Sequence, residues 1–370
     1  MRLLSQEDIL RVADAVGIDA FMDQVIDRLE EAFASYDPAK ISIPLRKGFA
    51  YTHPQPGLLE WMPLLHNGVQ ALVKVVGYHP RNPSHHDLPT ILSTFNLYDA
   101  TTGNLEAILD GGFLTAIRTG AASAVATRLL ASPESSAVGL IGCGAQAVTQ
   151  LHAVSRVRDI RSVRYFDIDA ATMADFADRV PFLAGQCELI PSDRDTVVET
   201  SDILCVATSV DIGGGPVFEG LPGQPHVHVN AVGSDFPGKT ELPPAFLQAS
   251  YVSPDCREQA LVEGECQRLA ASSVGAELWQ VAREGGAPAD LVSAATVFDS
   301  TGWALEDYVV TQVTLEAAVS LGIGTELPLS AGVGDPKSPY RYFTKQAEQA
   351  RSRLPAAADQ PQVDQYVRGV

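Results

Sequence analysis

The segment Ala137-Val-Gly-Leu-Ile-Gly-Cys-Gly-Ala-Gln-Ala147 limits the fold more than any other, because a short apolar run ends in Gly142, Cys143 and Gly144 and passes straight into helix-forming residues. That order reads as a buried strand, a glycine turn and a helix. In a dinucleotide-binding turn the first glycine makes the tight bend and the second lets backbone approach a pyrophosphate. A third small residue lets helix pack on strand. Gly142, Gly144 and Ala147 hold those places, with Ala145 and Gln146 opening the helix. The first N–H groups of such a helix, and its positive dipole end, favour an anion without any basic side chain. Arg164-Tyr-Phe-Asp167 adds a second strand ending in an acid, about twenty residues beyond the glycines. A carboxylate there would hold the ribose 2′-hydroxyl and select NAD over NADP. The other reading is an ordinary strand-helix unit with Asp167 merely solvated.

Beyond the turn the alternation continues. Strand-like runs at 137–142, 162–167, 187–190, 202–208, 226–232, 251–254 and 296–299 are interleaved with helical stretches at 145–157, 170–184, near 194–200 and near 275–284. This predicts a doubly wound parallel sheet. Upstream, Ser5-Gln-Glu-Asp8 resembles a capped helix start, and Phe21, Val25, Ile26, Leu29 and Phe33 recur at helical spacing, so two helices open the chain. Leu58–Leu64, Val69–Gly77 and Thr90–Tyr98, then Leu105–Leu109 after the turn Asp99-Ala-Thr-Thr-Gly103, predict an antiparallel sheet. An alanine-rich helix over 113–132 follows, and Ala304–Leu321 reads as a long helix returning to the first half. The expected class is α/β: a Rossmann doubly wound parallel sheet plus an α+β domain with an antiparallel sheet. The boundaries predicted are 1–117 (completed by 305–350), 118–304, and a flexible tail at 351–370.

A net charge of −19 disfavours nucleic acid and anionic membranes as partners, and no apolar run is long enough to cross a bilayer. Met1-Arg-Leu-Leu-Ser-Gln-Glu-Asp8 lacks the basic start and apolar centre of a signal peptide, so a cytoplasmic protein is expected. Cys143, Cys187, Cys205, Cys256 and Cys266 are scattered and odd in number, which reads as reduced core thiols with neither a disulfide framework nor a metal site. His226 and His228, one apart on a strand, read as packing residues and not metal ligands.

Against so acidic a background, cations set in apolar elements stand out. They are Arg46 and Lys47 before a strand, Lys74 in Ala-Leu-Val-Lys-Val-Val, and Arg118 in Thr-Ala-Ile-Arg-Thr-Gly. A lysine flanked by apolar residues is costly to desolvate without an anionic partner. A bound carboxylate would supply one; alternatively Lys74 points outward from a sheet with one wet face. The stretch Asn230-Ala-Val-Gly-Ser-Asp-Phe-Pro-Gly-Lys-Thr-Glu-Leu242 empties from a strand into a loop of small residues with two opposite charges. Doubly wound sheets bind ligands at the carboxyl ends of their strands, which brings Asp235 to the reactive end of the cofactor. A partly buried carboxylate titrates nearer neutrality, which suits a proton shuttle at an amine. Read alone, Asp-Phe-Pro-Gly is also a good turn.

Glu60-Trp-Met-Pro63, Lys74-Val-Val-Gly-Tyr-His-Pro80, Leu88-Pro-Thr-Ile91, Ile117-Arg-Thr-Gly-Ala-Ala122, Ile141-Gly-Cys-Gly-Ala-Gln146, the Asn230–Leu242 stretch, Glu263-Gly-Glu265 and Val297-Phe-Asp-Ser-Thr-Gly302 together resemble the ornithine cyclodeaminase/mu-crystallin family. The resemblance runs to about residue 345 and is greatest to the cyclodeaminases of ornithine and lysine. It implies a homodimer whose N-terminal sheet domain binds substrate and makes the subunit contact, with NAD on the Rossmann domain. By matched motif, Arg46, Lys74 and Arg118 would hold the substrate α-carboxylate, Glu60 and Met62 would line the pocket near the side-chain amine, and Asp235 would be the acid/base. The matched cofactor positions are Thr90, Arg118, Gly142, Gly144, Ala145, Gln146, Asp167, Thr208, Asn230, Ala231, Val232, Gly233, Lys239 and Ser300. The segment Ile41–Gln55 differs in length from the pattern, which leaves Arg46 and Lys47 to be told apart, and Thr301 and Ser234 depart from the ornithine-specific residues. The implied reaction turns L-ornithine into L-proline, or L-lysine into L-pipecolate, with release of ammonia and NAD as a recycled hydride carrier. The alternatives are an NAD(P)H-dependent cyclic imine (ketimine) reductase and a small-ligand binding protein of the mu-crystallin kind.

Overall fold

The computed structural model describes residues 1–286, 288, 291, 294–329, 337 and 340; the expected tail at 351–370 and most of 330–350 lie outside the described residues. A three-residue strand, β1 (Arg2–Leu4), precedes the two opening helices, α1 (Gln6–Val16) and α2 (Ile18–Ser35). Ser5 accepts the Asp8 N–H while Asp8 accepts the Ser5 N–H, the reciprocal cap that the sequence suggests. Then come β2 (Ile41–Ser42), β3 (Lys47–Tyr51), β4 (Gly57–His66), β5 (Gln70–Tyr78), α3 (Asn82–His86), β6 (Ile91–Asp99), β7 (Leu105–Asp110) and α4 (Gly112–Leu130). The second half runs β8 (Ala137–Ile141), α5 (Ala145–Val157), β9 (Ser162–Phe166), α6 (Ala170–Ala174), β10 (Glu188–Pro191), α7 (Arg194–Thr200), β11 (Ile203–Val206), β12 (His228–Ala231), α8 (Pro244–Ala249), β13 (Tyr251–Pro254), α9 (Arg257–Glu263), α10 (Leu278–Arg283), β14 (Thr296–Asp299), α11 (Ala304–Leu321) and β15 (Thr325–Glu326). Both sheets belong to one unit, Met1–Leu327.

The first sheet has the order β15-β1-β7-β6-β5-β4-β2, with β3 also on β4. Its strands β2 to β7 pair antiparallel as expected, but β1 lies parallel to β7, so the sheet is mixed. Both β1 and β7 feed directly into helices, α1 and α4, that contact each other, and this sends the two strands the same way. Alternation in β4 to β6 puts Glu60, Met62 and Leu64 on the face that also carries Leu72, Lys74 and Phe95, since Met62 pairs with Lys74 and Lys74 with Phe95. That face packs against α4 and α11.

The second sheet is parallel throughout, ordered β10-β9-β8-β11-β12-β14-β13. The long helix expected over 170–184 is instead α6 followed by two short 3₁₀ turns, Phe176–Arg179 and Pro181–Leu183. Pro181 has no N–H to continue a helical ladder. Helix α4 is buried on nearly all sides by elements of both halves, including α2, α5, β6 and β12. Its alanine, glycine and serine residues let those neighbours approach, which explains a helix of such small residues.

Candidate active site

The strand order reverses between β8 and β11, and at that crevice doubly wound sheets take their ligands. β8 runs into Gly142, whose φ of +89° is left-handed and whose added Cβ would lie 2.6 Å from the Ala207 carbonyl oxygen. Only glycine fits there. Gly144 has an ordinary φ of −76° and open space where a Cβ would stand. It precedes α5, whose first turn carries no acid and no side-chain cap. Asp167, just past β9, accepts the Cys143 N–H at 2.7 Å and the Asp169 N–H at 2.8 Å, so acid and glycine turn form one structure. An uncapped helix N-terminus, an open backbone approach and a carboxylate beside them fit the pyrophosphate and ribose of a dinucleotide.

A cavity of about 460 Å³ joins residues of both sheets. Arg46, Glu60, Met62 and Lys74 line it from the first sheet and the segment before β3, Arg118 from α4, and Gln146, Val232, Asp235, Lys239 and Ser300 from the second sheet with its loops and α5. Arg46 is the cation that enters it, whereas Lys47 begins β3 and is exposed. Lys74 is 1% exposed, and its Nζ lies 3.1 Å from Asp307 Oδ1. Burial brings its pKa down to about 8, with Asp307 opposing that shift. Arg118 Nη1 stands 2.7 Å from Glu306 Oε2 and its Nε 3.1 Å from Asp307 Oδ1. The anionic partner expected from a bound carboxylate is thus already present within the chain. Arg46 Nε is 2.7 Å from Glu263 Oε1, its Nη1 is 3.7 Å from Glu60 Oε2, and its Nη2 donates to the carbonyls of Thr301 and Gly302. Burial raises the pKa of Glu60 against the pull of Arg46, and raises Glu263 to about 7. The cations are oriented and partly neutralised, not bare.

Sequence reasoning missed Glu306 and Asp307 because two acids in the first turn of a helix already have a local reason, the helix dipole. The signal available was their position at the head of an otherwise apolar helix. Glu263 stood within a motif that carries the resemblance, yet nothing local ties it to Arg46.

Asp235 follows β12 at the cavity, where its side chain is 47% exposed and pairs with Lys239 Nζ at 2.9 Å. It lies nearer the surface than the loop sequence suggests. Beneath it a chain of buried carboxylates fixes the loops. Glu241 accepts the Thr208 N–H and O–H, each at 2.7 Å, and the Gly233 N–H at 2.8 Å. Glu265 accepts the N–H groups of Glu241 and Leu242, and Asp299 those of Glu265 and Cys266. Ser300 Oγ is buried at the cavity with no hydrogen-bond partner among the described residues.

Of the matched cofactor positions, Arg118, Gln146, Val232, Lys239 and Ser300 line the cavity, and the others do not. Asn230 is fully buried in β12 between β11 and β14, its Nδ2 donating to Thr127 Oγ1 at 3.0 Å and its Oδ1 facing His228 Nε2, so its side chain is committed to the core. Thr90 gives its carbonyl to the His79 N–H, beside Ile91, which does line the cavity. Ala231 is buried within β12. His228 is a packing residue, hydrogen-bonded to Thr296 and lowered by burial to about 3.

The sequence profile of the ornithine cyclodeaminase/mu-crystallin family matches residues 6–321. An L-lysine cyclodeaminase of Streptomyces rapamycinicus is 40% identical over 340 residues, covering 92% of this chain and 98% of that protein. Among solved structures, a lysine cyclodeaminase described for its recognition of L-lysine, L-ornithine and L-2,4-diaminobutyric acid superposes with a TM-score of 0.88 at 43% identity, covering 92% of this chain and 99% of the other. An archaeal alanine dehydrogenase dimer with bound NAD superposes with a TM-score of 0.79 at 30% identity, over 89% and 99% of the two chains.

Proposed function

Because the chain belongs to the ornithine cyclodeaminase/mu-crystallin family, we propose that it is an NAD-dependent amino-acid cyclodeaminase. It converts L-lysine to L-pipecolate or L-ornithine to L-proline with release of ammonia. The observation that carries this reading is one cavity lined by Arg46, Lys74 and Arg118 together with Asp235, opening among residues at the carboxyl ends of a dinucleotide-binding sheet.

NAD would be held by the turn at Gly142 and Gly144, the N-terminus of α5, Asp167, Thr208 and the Val232–Gly233 backbone, and there it supplies a reversible hydride acceptor for the substrate Cα. Arg46, Lys74 and Arg118 take the α-carboxylate and fix Cα in one place; such orientation is worth up to about 7–11 kcal/mol in ideal cases. Glu60, buried on the same face as Lys74, offers its carboxyl group to the distal amine. Met62 and Val76 line the methylene path and exclude water. Asp235 removes a proton from an ammonium so that the free amine can attack, and returns it to the departing nitrogen. Lys239, at 2.9 Å, keeps that carboxylate turned toward the cavity loop.

The protein acts as a cytoplasmic homodimer. Phe49, Leu59 and Leu92 form an exposed apolar row across β3, β4 and β6 on the face away from the cavity, which favours a second copy there. The five free cysteines suit a reducing compartment. Of the expected division, 1–117 and the described part of 305–350 make the substrate and dimer half, and 118–304 the cofactor half. Incubation with lysine and with ornithine, assayed for ammonia and the cyclic imino acid, tests the reading. Consumption of NADH by a cyclic imine with no ammonia from either amino acid would replace it with an imine reductase.

A further inference from the structure

One buried carboxylate that the proposed chemistry leaves unused is Asp307. It stands in the first turn of α11, fully buried, and its Oδ1 is 3.1 Å from Lys74 Nζ on β5 and 3.1 Å from Arg118 Nε on α4. Its Oδ2 is buried with no hydrogen-bond partner among the described residues. A single oxygen therefore bridges two cations that different elements carry into the cavity. We propose that Asp307 is the positioning residue of the carboxylate pocket, keeping Lys74 charged and aiming Lys74 and Arg118 at one bound carboxylate. The proposal rests on the reading that these cations take the substrate α-carboxylate.

A buried lysine without an anion gives up its proton. Around Lys74 stand Asp307 from α11, Arg118 from α4, Arg46 from the segment before β3, Glu60 from β4, and the Phe95 ring of β6 at 5.4 Å, while Glu306 of α11 pairs with Arg118. Arg118 and Arg46 push the ammonium toward neutrality together with burial, and Asp307 resists them. Glu306, raised by burial to about 8, is the partner of Arg118 and not of Lys74. Removing the Asp307 carboxylate leaves Lys74 among cations in a dry site. It then loses its proton, and the pocket loses one of its three cations.

The test uses NAD-loaded protein and hexanoate, a carboxylate with no group that titrates near Lys74, followed by calorimetric titration across pH. In the unaltered protein binding should weaken as pH rises through about 8. In Asp307→Asn that weakening should begin at least about one pH unit lower, making hexanoate roughly fivefold weaker at the wild-type midpoint. Asp307→Glu should restore the midpoint, and Glu306→Gln should leave it in place. NAD affinity, which a general loss of structure would reduce, should be unchanged in each. A midpoint in Asp307→Asn equal to that of the wild type overturns the proposal. If Asp307→Asn does not fold, Lys74→Arg decides: the inflection must vanish, and its persistence overturns the proposal. Hexanoate that fails to bind the wild type at any pH, while lysine is turned over, overturns the carboxylate-pocket reading beneath it.

Discussion

Gly142 and Gly144 sit two residues apart, yet an added methyl group meets different surroundings at each, so alanine should fail in two distinct ways. At Gly142 the backbone has φ +89°, and the new Cβ would lie 2.6 Å from the Ala207 carbonyl oxygen and 2.9 Å from its carbon. The left-handed conformation costs an L-residue ~1–2 kcal/mol, and forcing an atom into filled space ~1–3 kcal/mol. Together they destabilise by roughly 2–5 kcal/mol. A 370-residue chain unfolds with an entropy of ~0.8 kcal/mol/K, so the loss amounts to a fall in Tm of roughly 3–6 °C. At Gly144 the φ is −76° and nothing lies within 4 Å, so Gly144→Ala should leave the cofactor-free Tm where it was. Its methyl group would instead stand where the backbone approaches the pyrophosphate. Losing one hydrogen bond to a charged group, ~1.5–3 kcal/mol, weakens NAD by about 10–150-fold. Scanning calorimetry of the cofactor-free proteins and calorimetric titration with NAD separate the two effects. A Gly144→Ala protein that melts early but binds NAD normally would refute the reasoning about both glycines.

Asp235→Asn should lower kcat by ~10²–10⁴, the range typical for loss of a general acid/base, while KM for the amino acid changes little. A kcat within tenfold of the wild type would remove Asp235 from the proton-transfer role. Asp167→Ala takes away both the ribose partner and the acceptor of the Cys143 N–H, so paired titrations should show weaker NAD and no remaining preference over NADP; a preserved preference contradicts that assignment. His228, held neutral by burial with its pKa lowered from 6.5 to about 3, binds no proton in the folded state where the unfolded chain would bind one. Its contribution to stability is therefore complete above pH 6.5 and is lost as pH falls toward 3. Denaturant melts at neutral and acid pH should show a smaller acid loss in His228→Asn than in the wild type, and equal losses would acquit His228.

The nucleotide half was legible because its chemistry is local. A glycine that must bend, a second that must stay small and an acid at the next strand end are all set by neighbours in sequence, and Asp167 and Cys143 meet through one hydrogen bond. The faces of β4 to β6 were legible for the same reason, since alternation alone puts Glu60, Met62 and Lys74 together. The charge balance of the site was not. Lys74 and Asp307 are 233 residues apart, and no periodicity links them. Asn230 shows another limit: its motif places it beside the cofactor loop, but alternation along β12 turns its side chain with that of His228 into the core. Arg46 and Lys47 part only through register, because Lys47 is the first residue of β3, paired opposite Trp61, while Arg46 precedes the strand. β1 is three residues long, too short to show a period at all.

On the proposed reading, Arg46, Lys74, Arg118 and Asp235 meet in one cavity beside the dinucleotide-binding sheet, and the cofactor would leave each turnover unchanged. The direct test is product yield against NAD supplied far below the lysine or ornithine present. Ammonia and cyclic imino acid should form in equal amounts, many times the NAD, with no growing pool of NADH. Product that stops at one equivalent of NAD, or NADH that accumulates in step with ammonia, would contradict it.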